Sequence, residues 1–292
     1  MRLPRRRLLA VLGVCTVSAC VPDPTIHGVP TAASPSPEPT QPSHVADLTV
    51  RLVGVLAALP GQPDPFASGA TAQVQAWLGR LRRLDPLTAG EPFFPEPPAP
   101  SPGDLSEAIA AAVAAASRCV EASGTQPERL LHLSILAGST GLANTSLAPS
   151  PREAEPAPFE EMAQDELATR ALTHVWALLQ GIERGLGVIA TDDPLRDGVL
   201  ARREEVRFLR NEILTTLGTR RPLQDAHYEF PAVVDADSFR STWVTLELAV
   251  LDAVTALAAA TPDPWRDRMT AQVGKVQAAG GGLPTWPGWV TP

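Results

Sequence analysis

Cysteine is scarce. Three occur in 292 residues, and Cys15 and Cys20 both fall in the N-terminal segment, which leaves Cys119 as the only thiol in the body of the chain. A disulfide framework is therefore excluded. Cys119 lies in an alanine-rich stretch and reads as a small buried apolar residue rather than a reactive centre. Basic runs are missing too, once the first seven residues are passed. Of the 24 Lys and Arg, four (Arg2, Arg5, Arg6 and Arg7) precede the first apolar run; the other 20 face 32 acidic residues, a net charge of about −12. That balance excludes nucleic acid as a partner, because phosphate binding needs clustered cations, and it supplies no polybasic patch for a membrane surface.

Several motifs are absent as well. No segment sustains period-two alternation, so the fold class expected is all-α. Gly138-Ser139-Thr140-Gly141 lacks the spacing of a nucleophile elbow and follows no strand; it reads as a helix end. Gly280-Gly281-Gly282 has no phosphate-loop Lys-Ser/Thr and reads as a helix stop. With no constellation of catalytic type, no catalytic residue and no cofactor are assigned, and the balance of the sequence is against an enzyme.

What the chain does carry begins at its N-terminus. Four arginines precede the apolar run Leu8 to Ala19, which is too short to span a bilayer as a permanent helix. Val17-Ser18-Ala19-Cys20 resembles a lipobox, which implies a signal peptide over residues 1–19, cleavage before Cys20, and acylation of that thiol. The expected location is the extracytoplasmic face of the cell membrane, with attachment through the lipid. Arg5-Arg6-Arg7-Leu8-Leu9 also resembles a twin-arginine signal, so both export routes stay open. Residues 20–44 hold the lipidated cysteine and a linker rich in proline, Ser and Thr, expected to be an extended tether reaching roughly 70 Å.

Proline-rich breaks at Pro86 to Gly103 and at residues 148–158 divide the remainder. An N-terminal helical region, residues 45–147, contains two helical pairs: Val45 to Leu59 with Gly69 to Leu84, and Asp104 to Ala122 with Pro127 to Leu142. Whether this region packs on the C-terminal block or folds apart is open. In that block, residues 159–292, four amphipathic helices are expected. The first covers about Phe159 to Ile189, and the second opens with Asp193-Pro194 and ends at Gly218. The third carries Phe239, Trp243, Leu246, Val250, Val254 and Leu257 on one face. The fourth opens with Thr261-Pro262, and Trp286 and Trp289 come after it, suited to covering an open end. Four such helices with one long connection make a four-helix bundle the natural packing.

Three features of this block, the helix series, Ala226-His227-Tyr228-Glu229-Phe230-Pro231 and the closing Leu283-Pro284-Thr285-Trp286-Pro287-Gly288, resemble a ferritin-like domain family of unknown function found in actinobacterial lipoproteins, over roughly residues 162–290. The resemblance implies a ferritin-like fold and carries no activity. Ferritin-like proteins that bind two metals use Glu-x-x-His pairs on facing helices. This chain has none. Arg202 and Arg210 instead fall near the apolar stripe of the second helix, with Glu247 at the edge of that of the third. The expectation is a scaffold without the di-metal site, in which Glu247 pairs with Arg210 or Arg202 in the core. His174, Glu183 and His227 are the remaining ligand candidates; Tyr228 is expected to pin its loop. The function expected is that of a lipid-anchored helical scaffold or binding protein, its partner an envelope protein or a small ligand. The alternative is a metal-handling or oxidoreductase-type protein with an unconventional site built on His174, Glu183 and Glu247.

Overall fold

Periodicity of apolar residues dominates the chain, and the computed structural model, which describes residues 38–101, 103–150 and 154–290, is all-α. The signal peptide, Cys20 and most of the tether lie outside the described residues. Eight helices are present among them: α1 Ser43–Ala58, α2 Phe66–Leu81, α3 Leu105–Ala122, α4 Gln126–Gly141, α5 Gln164–Val188, α6 Leu195–Leu217, α7 Ala236–Ala260 and α8 Pro262–Ala278.

Local chemistry sets most of the boundaries. Asp104 and Thr125 accept from the backbone N–H of Glu107 and Glu128 at the starts of α3 and α4, satisfying donors that a first turn leaves unpaired. Asp235 and Ser238 form a reciprocal capping box at α7. Gly218, at φ 57°, ends α6 in the left-handed region. Four starts differ from expectation: α2 begins at Phe66, three residues before Gly69, and α6 begins at Leu195 with Pro194 as its N-cap. Thr261 makes no side-chain cap on α8, which begins on Pro262 alone. Helix α5 starts at Gln164 instead of Phe159, because the preceding residues are held elsewhere. The Gln126 side chain exchanges two hydrogen bonds with the Met162 backbone (2.7 and 3.2 Å), and Glu161 accepts from the Gln126 N–H at 2.9 Å.

Helix α1 packs on α3 and α2, and α3 on α4; in the second group α5 packs on α7 and α6, and α7 on α8. The two groups share one core, since α4 lies against both α7 and α8. The reason is in α4 itself, where Leu130, Leu131, Leu133, Ile135, Leu136 and Ala137 leave no exposed face. A helix apolar on all sides is stable only when surrounded. Helix α7 is the one described helix long and apolar enough to cross a bilayer by length and composition. In the structure α4, α5 and α8 pack around it.

The segment after α8 ties the groups together. Gln73 and Trp77 of α2 donate to the carbonyls of Pro284 and Thr285 (2.9 and 2.8 Å), Ser134 of α4 to that of Pro287, and the Gly288 N–H donates to Asp252 of α7 at 2.8 Å. Trp286 and Trp289 are buried. The tail is thus a strap held from both groups, not only a cover for an open end. Gly288 is required twice over: its φ is +89°, and a Cβ there would press on Leu130 and Thr255.

Between α3 and α4 lies a buried polar cluster. Ser123 donates to the Cys119 carbonyl at 2.8 Å, which assigns to His132 Nδ1 the proton shared with Ser123 Oγ, also at 2.8 Å. Burial, then the nearby charge of His44, pushes His132 down to about 4. Burial also pushes the Cys119 thiol up to about 12, so it is not a nucleophile near neutral pH.

The His132 shift has a defined consequence. The unfolded chain takes up this proton near its ordinary value of 6.5, the folded chain only near 4. Stability is therefore complete above pH 6.5 and falls as the pH is lowered toward 4, by about 3 kcal/mol for this group. Urea denaturation between pH 4 and 7 checks this: the parent should lose that amount relative to His132→Asn, which keeps a donor at the Nδ1 position and does not titrate. Parallel pH profiles would refute it.

Candidate functional site

Within the apolar face of α7, Glu247 is fully buried, and it is matched by Arg202 of α6, 7% exposed. Arg202 Nε and Nη2 donate to Glu247 Oε1 and Oε2, both at 2.8 Å. Trp243 Nε1 donates to Oε1 at 2.7 Å, and Gln272 of α8 donates to Oε2 at 2.6 Å while accepting from Arg202 at 2.8 Å. Burial would lower the Arg202 value; the hydrogen bonds and charge of Glu247, then Glu205, outweigh it and raise it overall. Each Glu247 oxygen carries two hydrogen bonds, so the carboxylate is committed to holding α6, α7 and α8 together. Glu205 with Lys275 (2.7 Å) and Glu212 with Arg268 continue the link across α6 and α8, whose backbones do not approach closely.

Other residues singled out by sequence lie apart from this network. Arg210 is half-buried and bonds Asn211 Oδ1 (3.0 Å), leaving Arg202 as the sole arginine on Glu247 among the described residues. Glu183 is exposed and meets Arg203 and Arg207 at 3.5 and 3.4 Å. His227 is exposed, its Nδ1 3.2 Å from Arg184 Nη2. Tyr228 is buried, its hydroxyl accepting from the Asp225 N–H at 3.1 Å and its own N–H donating to Gln180 at 3.0 Å, so it holds the loop between α6 and α7. Among the described residues no three His, Cys, Asp or Glu side chains gather where a metal ion could be shared.

His174 leads somewhere else. It stands on α5 at the rim of a cavity of about 350 Å³, enclosed by α4, α5, α7, the segment before α5 and the C-terminal strap. Leu130, Phe159, Met162, Leu167, Ala253, Ala256 and Trp289 give it apolar walls. Phe159 and Trp289 meet edge to face, ring centroids 5.7 Å apart. The charged groups on the wall are already engaged: Arg170 by Glu166 (2.9 Å), Glu155 by Arg80 (2.5 Å), and Asp252 by the Gly288 N–H. His174 is itself exposed, and partial desolvation beside these walls lowers its value. Trp289 is 6% exposed, and its Nε1–H is buried with no acceptor among the described residues.

Sequence patterning points to His174 and Trp289 separately and does not join them. It places Phe159 inside a helix, and it does not reach Gln126 or Asp252. Asp252 does leave a signal: with Glu247 it is one of only two charges between Thr242 and Ala260. No protein-family model matches the chain, and no curated protein or solved structure was found to be similar to it.

Removing one partner of the buried pair should be worse than removing both. Glu247→Ala strands the Arg202 charge and should lower stability by about 3–5 kcal/mol, whereas Glu247→Leu with Arg202→Met should recover part of that loss, the Trp243 and Gln272 donors still lacking the carboxylate. A double-mutant cycle by urea denaturation measures both; additive losses would show that the pair is uncoupled.

Proposed function

We propose that this chain is a binding protein for a small apolar ligand, held by a lipid on Cys20 at the extracytoplasmic face of the membrane. The observation that carries the binding role is the cavity of about 350 Å³ beside His174. Pockets of this size, apolar with a few placed polar groups, are typical of small-molecule sites. The site is built by residues from both helical groups and the strap, so its shape is fixed by the same packing that forms the core.

In this reading α5 to α8 form a ferritin-like four-helix bundle in which the Arg202–Glu247 pair occupies the interior that a di-metal centre would need. The scaffold supplies rigidity, and the proline-rich segment after Cys20 supplies distance from the bilayer. A metal-handling role has less support, since His174, Glu183 and Glu247 do not converge.

Two measurements test the proposal. The mature chain from residue 20, made as Cys20→Ser so that no acyl chain is attached, should bind one equivalent of an environment-sensitive apolar dye. Ala256→Phe, which fills the cavity, should weaken that binding at least tenfold with the denaturation midpoint retained; binding indifferent to the filled cavity would overturn the site. For the anchor, fractionation should move the chain from membranes to the soluble fraction on Cys20→Ala. Unchanged membrane association would remove the lipid.

A further inference from the structure

Taken as the ligand site just proposed, the cavity has polar groups that are not equivalent, and the difference between them limits what it holds. Residues that both line it and stand exposed mark its mouth, and Glu155, Arg170 and His174 are the polar ones. Glu155 is committed. Its partner Arg80 is buried and also donates to the carbonyls of Pro86 and Thr88, so releasing Glu155 would strand a guanidinium inside the protein. Asp252, also on the wall, is buried and accepts from the Gly288 N–H, and both ends of the Gln126 amide are taken by the Met162 backbone.

Arg170 and His174 are held differently. With the buried Leu167 they follow one another at i, i+3 and i+7 and line the cavity from one face of α5, Arg170 and His174 standing a single turn apart. Arg170 donates through Nη2 to Glu166, four residues away, in a pair exposed on both sides. Exposed pairs of this kind add little to stability and yield readily to another acceptor. A guanidinium carries five N–H donors and an imidazole at least one, so the mouth has more donors than its protein partner uses. The complement to such a mouth is an acceptor, and beside a guanidinium a negative one, because charge-assisted bonds to arginine are the strong ones. Leu130, Phe159, Met162, Leu167 and Ala256 offer the rest of a ligand only apolar surface.

We infer that the cavity takes an amphipathic monocarboxylate, an acyl or arylalkyl chain whose tail lies among the apolar walls and whose carboxylate is held at the mouth by Arg170 and His174. The head keeps part of its water there, so the ligand's charge is never carried into the apolar interior.

Probes with one chain and three heads separate this inference from the reading it rests on. By calorimetry on the mature Cys20→Ser chain near neutral pH, decanoate should bind about fivefold to tenfold more tightly than decanol, and decylammonium more weakly than decanol. Arg170→Gln combined with His174→Gln replaces two exposed side chains by polar ones and removes the guanidinium and the imidazole. It should bring decanoate down to the affinity of decanol. Decanoate no tighter than decanol on the parent, a preference that survives the double substitution, or decylammonium as the tightest of the three would each overturn the inference and leave the cavity a ligand site. Binding of none of the three would overturn the ligand site itself.

Discussion

A helix with no exposed face must be enclosed, and α4 has none: every residue from Leu130 to Ala137 is buried, its two polar side chains, His132 and Ser134, hydrogen-bonded inside. Burial of such a surface is worth on the order of 25 cal/mol per Å², so leaving one side to water would forfeit several kcal/mol. Helices α1 to α3 cover only part of it. The remainder is covered by α7, α8 and the strap, and this joins what would otherwise be two separate groups of helices. The cavity lies along the same seam, lined by Gln126 and Leu130 of α4 on one side and by α5 and α7 on the other.

The second group of helices solves a different problem. Helices α6 and α8 are joined mainly by long polar side chains, with Arg202, Gln272 and Glu247 at the buried centre and ion pairs to solvent on either side. An apolar seam would give comparable or greater stability. What the polar centre adds is register: Arg202 reaches both Glu247 and Gln272 only when α6, α7 and α8 stand at one offset along their axes. Trp243 is fixed by the same carboxylate and by stacking on Phe239, rings 5.6 Å apart.

Much of this was legible in the sequence because helical order is local. Apolar spacing located all eight helices to within a few residues at most ends, and a carboxylate and an arginine on facing stripes announced the Glu247 pair, since neither is stable alone in a core. The choice of Arg202 over Arg210 was not legible; it depends on the offset between two helices, which no single helix encodes. The late start of α5 was hidden for a similar reason, as Glu161 and Met162 are held by Gln126, 36 residues away from Met162 in sequence. The cavity was the least legible feature. Its walls come from five separate segments, and a void is defined by what their packing leaves unfilled rather than by any residue's own pattern.

The strap also bears on the order in which the molecule can be completed. Partners for Gln73, Trp77, Ser134 and Asp252 come from residues 284–288, which leave the ribosome after all eight helices. Helix–helix contacts within each group can form earlier, but the hydrogen bonds of Gln73, Trp77, Ser134 and Asp252 to this segment form only when it is laid across them. Assembly therefore has a distinct closing step, and proteolytic loss of a few C-terminal residues would undo contacts in α2, α4 and α7 at once, far from the cut in sequence.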